Sequence, residues 1–417
     1  MKNKTSLMGA IAAAALMAGL AYAPTGALAA GPTCTDGKIV VGAVSTITGP
    51  ADFSEVPKAA KATFDVVNAA GGINGCKIDY TIADDKADPQ VAAQSARDLV
   101  ENKGAVVMTG SASLLECAVN AGYYDKQGTL SVHGLGVDPV CFNSPSISPV
   151  NVGPYTLTTA VLQYASSKLG AKKLCGIFWI VGGTDEAYRA AVARWEKVSG
   201  QTFGMIDLTL PFQGDYTPYV LKARDAGCDA VVMNTVEPQI VQMINTADAQ
   251  NITGIKWMFL APGYTVQVAK VLAASKQEIY VGTEWEPYTD SKSKANEAWN
   301  AAMTASGLPL TAFTQGGYES ASILVDVLKS IDGPVTRETV TAALHKLAPV
   351  NNPLVGTPYT FGEAKSHASS QGTKMVKLEA GAWKVETPDW FVSSQPSKLL
   401  QLTNCCSRGI PAADICL

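Results

Sequence analysis

Ser111, Ser113, His133 and Asp138 are the side chains whose types would supply a nucleophile, a base and an orienting acid. Their surroundings argue against that chemistry. Neither serine sits in a Gly-x-Ser-x-Gly turn, the elbow that lifts a nucleophile off an α/β sheet. The three histidines, His133, His345 and His367, include no His-Glu-x-x-His or other close pair, so a catalytic zinc site is not indicated. A Walker-type phosphate loop is also missing. The nine cysteines contain no Cys-x-x-Cys pair, which speaks against a zinc ribbon or a thioredoxin-like centre. They read as disulfides, and the odd count leaves at least one thiol unpaired or bonded to another chain. The chain therefore reads as a non-enzyme that needs no cofactor and no metal. A secreted serine hydrolase stands as the alternative.

The same residue types suit reversible binding. Gly110-Ser111-Ala112-Ser113 offers small residues that admit a carboxylate to the backbone and hydroxyls that would donate to it; the blander reading is helix capping. Gly134-Leu135-Gly136-Val137-Asp138 has glycines that permit close approach. His133 at its start is a contact or, more ordinarily, a core histidine. Further along, Val181 to Tyr188, Thr235-Val236-Glu237 and Pro262-Gly263-Tyr264 are loops of the same kind. Phe53, Tyr188, Tyr264 and Trp285 would make flat apolar walls, although aromatic residues dominate cores as well. The expected ligand contacts are Ser111, Ala112, Ser113, Gly134, Leu135, Gly136, Phe53, Tyr188, Glu237 and Tyr264.

These loops are singled out because of the elements before them. Lys38 to Val44 reads as a strand, Lys58 to Ala70 as a helix stopped by Gly71-Gly72, and Ile78 to Ile82 as a strand. Asp88-Pro89 opens a helix, with Asp as cap and Pro in the first turn. Ala105 to Thr109 and Thr129 to His133 follow as strands. The rhythm restarts after about Asn151, with strands at Lys173 to Trp179, Phe203 to Leu208, Ala230 to Asn234, Lys256 to Leu260 and Ile279 to Gly282. Pro287 to Ile331 adds two helical stretches, and the part from Pro349 shows short apolar runs without a strong helix. Strand–helix alternation means parallel sheets covered on both faces. Ligands of such sheets sit outside the carboxyl ends of the strands.

Bulk properties narrow the setting. The 417 residues carry a net charge of −4, two units more negative once Lys2 and Lys4 are removed. That balance argues against nucleic acid as a partner. Lys2 and Lys4, the apolar Leu7 to Tyr22 and Ala27-Leu28-Ala29 read as a signal peptide over residues 1–29. Cys34 lacks a lipoprotein context, and no later segment is apolar enough to span a bilayer. The expectation is an exported periplasmic monomer.

The pattern resembles the periplasmic branched-chain amino acid binding proteins, the type I solute-binding proteins of ABC importers. The residues that carry it are Ile39 to Pro50, Val67 to Gly75 (VNAAGGING), Ala83 to Pro89 (ADDKADP), Gly214 to Tyr219 and Ala226 to Val231. The likeness extends to about Thr387. It implies an α/β fold of two doubly wound parallel-sheet lobes, a three-strand hinge and a central ligand cleft. Residues 30–151 plus 284–345 would form one lobe, 152–283 plus 346–387 the other, and 388–417 a cysteine-containing tail. The implied partners are a small solute, amino acid-like or a carboxylate or aromatic acid, and the permease subunits of an ABC transporter. A ligand-sensing subunit of a receptor is a further reading. Val137 stands where members carry a hydroxyl, and no acidic partner for an amino group is evident beyond Glu237. The usual bridge of the family's first lobe would need cysteines near Ala87 and Ser111. Within this topology the alternatives are Cys34–Cys76, Cys175–Cys228, Cys117–Cys141, and Cys405 or Cys406 with Cys416.

Overall fold

A computed structural model describes residues 31–290, 292–362, 367 and 370–392. The signal-peptide reading over 1–29 and the bridge from Cys405 or Cys406 to Cys416 lie outside the described residues.

The run Ile39-Val40-Val41-Gly42-Ala43-Val44 is apolar without alternation, as a strand covered on both faces must be. It forms strand β1 (Lys38–Ser45), whose residues from Val41 onward are all buried. β1 pairs in parallel with β2 (Lys77–Asp84) along its full length and with β3 (Val107–Thr109) on its other side. β4 (Ser131–His133) and β5 (Ile147–Pro149) extend the sheet in the order β2-β1-β3-β4-β5. The connections carry helices α1 (Glu55–Ala69), α2 (Pro89–Arg97), α3 (Glu116–Gln127) and the one-turn α4 (Pro139–Phe142). The Asp88 carboxylate accepts from the Gln90 and Val91 amides, so the expected cap of α2 is in place.

A second sheet repeats the plan. Its parallel strands are β6 (Leu174–Ile177), β7 (Met205–Asp207), β8 (Ala230–Met233), β9 (Lys256–Phe259) and β10 (Glu278–Thr283). The order is β7-β6-β8-β9-β10, continued by antiparallel β11 (Gly372–Glu379) and β12 (Ala382–Val385). Helices α5 (Pro154–Ser167), α6 (Asp185–Ser199), α7 (Thr217–Asp225) and α8 (Glu237–Ala249) cover it. This is the α/β architecture of two parallel-sheet bodies expected from the sequence.

After β10 the chain returns to the first body. Helix α9 (Ala312–Ser330) lies so close to α1 that a Cβ on Gly317 would overlap the Val56 carbonyl. Residues of the 346–362 stretch also touch the first sheet: the Tyr359 hydroxyl donates to the Ser148 carbonyl at 3.3 Å. The chain then enters the second sheet at β11.

Three disulfides are present among the described residues: Cys34–Cys76, Cys117–Cys141 and Cys175–Cys228. The first joins the entrances of β1 and β2, and the third joins β6 to the turn before β8. The second ties α3 to α4.

Candidate functional site

A cavity of about 90 Å³ lies where the carboxyl ends of both sheets face each other. A single water needs roughly 10–15 Å³ by the same measure, so the space suits a small solute. From the first body come Phe53 after β1, Leu114 after β3, and Leu135 to Asp138 after β4. From the second come Trp179, Val181, Thr184 and Tyr188 after β6, Asn234 and Val236 after β8, and Leu260 to Pro262 after β9. The crossing segments add Asn151, Pro154, Tyr155 and Leu157 on one side and Glu284 on the other.

The walls are aromatic. The Tyr188 ring stacks 4.7 Å from Phe178 and lies 5.0 Å from Tyr155. Trp179 leans on Phe212 at 5.2 Å, and Phe53 meets Phe313 edge-on at 5.8 Å. Each wall is thus braced from behind by another ring, which fixes its rotamer before any ligand arrives.

The polar groups are few and mostly committed. Glu284 is the first residue after β10 and is 4% exposed. Its Oε1 accepts from the Gly153 amide at 2.6 Å and from Asn151 Nδ2 at 2.9 Å. Burial pushes this carboxyl up to about 7, against the pull of those two donors. Asn151 also accepts from the Gly136 amide at 2.8 Å and donates to the Gly136 carbonyl at 3.1 Å. One bonded chain therefore runs from Glu284 through Asn151 to the loop after β4. On the opposite wall, Asn234 is bonded at both ends to the Trp179 backbone, each at 2.8 Å. Asp138 accepts from Val140 N at 2.8 Å and Ala118 N at 3.2 Å, which pins α4 to α3. Burial raises its pKa even so.

Of the residues expected from the sequence, the structure brings Phe53, Leu135, Gly136 and Tyr188 to the cavity. Ser111, Ala112, Ser113, Gly134, Glu237 and Tyr264 are not among its lining residues. Residues 111–113 run on as sheet: Ala112 bridges Ser45 and Leu135. The Ser111 hydroxyl accordingly accepts from Val44 N at 3.2 Å. The Ser113 hydroxyl donates to buried Asp85 and accepts from Leu115 N at 3.1 Å and Glu116 N at 2.9 Å. These hydroxyls hold the first body together and face no ligand space. Gly134 is small because Val56 packs on it; an added Cβ would stand 2.5 Å from that side chain. Tyr264 is buried with its hydroxyl 2.6 Å from Thr289 Oγ1, and Glu237 accepts from Thr265 Oγ1 at 2.9 Å.

His133 resolves as a core residue. Its Nε2 lies 3.7 Å from Cys117 Sγ, and its Nδ1 lies 3.3 Å from Ser131 Oγ and 3.6 Å from Glu116 Oε2. Burial drives it down to about 3, so it is neutral. Burial, with the charges of Asp138 and Asp85 adding, pushes Glu116 up to about 8 although Tyr124 donates to it at 2.6 Å. The hydrolase ingredients are therefore each bonded elsewhere. Sequence reasoning passed over Trp179, Asn234 and Glu284. All three stand at the last position of an expected strand or one or two residues beyond it, where the carboxyl-end rule would have found them.

Residues 38–382 match the periplasmic binding protein family. The Leu/Ile/Val-binding protein homolog 3 of Brucella melitensis is 22% identical over 353 residues, covering 82% of this chain and 92% of that protein. The LivJ substrate-binding protein of Streptococcus pneumoniae in complex with isoleucine superposes with a TM-score of 0.71 at 17% identity, over 85% of this chain and 99% of that one. A valine-bound branched-chain amino acid ABC transporter protein from Thermus thermophilus gives 0.73 at 13% identity, covering 86% and 97%. A fatty acid ABC transporter substrate-binding protein from Thermomonospora curvata gives 0.71 at 18% identity, covering 87% and 95%. At these identities the superpositions show a shared fold, and the ligands named differ among them. With the match spanning both sheets, the chain belongs to the periplasmic binding protein family and has its type I fold.

Proposed function

We propose that this chain captures a small, largely apolar solute between its two bodies and delivers it to the permease subunits of an ABC importer. One observation carries the reading. The cavity is lined by loops from the carboxyl ends of both sheets, so a solute that touches both walls favours their approach. A ligand shifts such an equilibrium only through its different affinity for the open and closed states. Phe53, Leu135, Gly136 and Tyr188, with Trp179 and Leu260, are the proposed contacts. Residues 30–151 with 284–345 form the first lobe and 152–283 with 346–387 the second, joined by three crossings, the 346–362 stretch also reaching the first sheet through Tyr359. The protein acts in the periplasm as a monomer, after removal of residues 1–29, and performs no chemistry on its ligand. No helix among the described residues is long and apolar enough to cross a membrane.

A thermal-shift screen of the purified mature chain against amino acids, aromatic and aliphatic acids, amines and amides tests this. A specific solute raises the melting temperature with concentration by mass action, and chromatography recovers it unchanged. Turnover of any solute in the set would overturn the reading.

A further inference from the structure

The charges of the cavity select the head group of the solute. Among the described residues, Glu284 and Asp138 are its charged lining residues, and no Lys, Arg or His joins them. Both Asp138 oxygens are taken by the amides of Val140 and Ala118. Among the described residues, both hydrogen bonds to Glu284 end on Oε1, which leaves Oε2 to accept from a ligand. The asparagine and serine donors that would welcome an anion are committed, whereas the Thr184 hydroxyl on the lining caps no helix. Asn151 and Asn234 are bonded to the backbones of Gly136 and Trp179. The hydroxyls of Ser111 and Ser113 turn into the sheet. A ligand carboxylate would therefore enter a buried site beside a carboxyl group and meet no cation, which is costly. An N–H donor meets the opposite situation.

Resting on the binding-protein reading above, we infer that the cavity takes a compact apolar solute ending in an N–H donor, an amine or a primary carboxamide, and rejects the corresponding carboxylate. Glu284 Oε2 receives the N–H, and the rings of Phe53, Tyr155, Trp179 and Tyr188 receive the apolar part. Glu284 also holds Asn151 and Gly153 in the crossing after β5. Head-group recognition and the hinge therefore meet on one side chain. The titratable groups that line the cavity with Glu284 are Tyr188 from α6, whose hydroxyl feels its charge, Tyr155 from α5 and Asp138 from the loop before α4. The two tyrosines stay protonated below pH 9 because burial raises them. With Glu284 near 7, its ionised fraction climbs from about one tenth at pH 6 to about nine tenths at pH 8.

The test is calorimetric titration of the mature chain with two matched series: 3-methylbutylamine, 3-methylbutanamide, 3-methylbutanoate and leucine, and benzylamine, benzamide and benzoate. In at least one series the amine or amide binds tenfold or more tighter than the acid, and tighter than leucine. Where the amine binds, its affinity rises roughly tenfold from pH 6 to pH 8 as Glu284 ionises. In Glu284→Gln this rise disappears and the preference over the acid shrinks. The glutamine carbonyl still accepts from Gly153 and Asn151, and an unchanged circular dichroism melt confirms folding. Tighter binding of an acid or of leucine would overturn the inference and leave the binding-protein reading standing. Failure of all seven probes, or an unchanged preference in a folded Glu284→Gln, would overturn it as well. The binding-protein reading itself fails on a different observation, conversion of a solute.

Discussion

Ser113→Ala separates two roles for one hydroxyl. The sequence points to Ser113 as a ligand contact, whereas in the structure it is buried and holds four partners, Asp85, the Leu115 and Glu116 amides and the Thr46 hydroxyl. Removing the hydroxyl leaves the Leu115 and Glu116 amides without their acceptor, a loss of about 1 kcal/mol for a group serving a helix start. It also strips a donor from buried Asp85, which costs roughly 1–3 kcal/mol. The sum is about 2–4 kcal/mol of destabilisation. For a body of this size each kcal/mol moves the melting temperature by roughly 2–4 °C, so a drop of about 5–15 °C is expected. The affinity for the solute found by screening should stay within about twofold, because no atom of Ser113 reaches the cavity. Differential scanning fluorimetry and calorimetric titration on the same preparation give both numbers. A variant that melts like the parent but loses the solute would refute the assignment and restore the loop at 111–113 as the binding loop.

Other consequences are as direct. Nine cysteines with three bridges leave at most three titratable thiols in denatured, unreduced protein, and a higher count from a thiol reagent would contradict the pairing. Gly136→Ala places a methyl group 2.7 Å from Pro149 Cγ. That overpacking costs about 1–3 kcal/mol and should weaken solute binding at least fivefold, while Gly183→Ala, which meets nothing within 4 Å, leaves it unchanged; equal affinities in both would contradict the packing. Glu116 and Glu319 are raised to about 8 by burial and Glu284 to about 7. The folded chain thus keeps protons that the unfolded chain has released above about pH 4.5, and stability falls as pH rises from there through 8. His133, held near 3, acts in the other direction, and its contribution is lost as pH drops below about 6.5. Melting temperatures measured from pH 5 to 9 should decline on the alkaline side, with a shallower decline in Glu116→Gln; a flat or rising profile would refute this.

The fold was legible because its signals are local. The unbroken apolar run at Ile39 to Val44 marks a strand covered on both faces, and Asp88-Pro89 marks a helix start that the structure caps as expected. β5 escaped notice because Ile147-Ser148-Pro149 is three residues long and carries a proline. β11 and β12 escaped because antiparallel strands added late in the chain follow no strand–helix rhythm. The site was legible only by position. Loops after strands were the right place to look, and Phe53, Leu135, Gly136 and Tyr188 are there. Residue type misled at 111–113, where small hydroxyl residues suit a ligand and a sheet extension equally well. Which of the two a serine serves depends on its partners 67 and 28 positions away, Val44 and Asp85. Glu284 was marked only by its place just past a strand, because its bonds to Asn151 and Gly153 exist only in the folded chain.

Small-angle X-ray scattering of the mature chain, alone and saturated with the solute that most raises its melting temperature, measures closure of the two sheet bodies around the cavity. The radius of gyration should fall on saturation, and fall less in Tyr188→Ala at matched occupancy. A tightly held solute that leaves the scattering curve unchanged would contradict capture between the lobes.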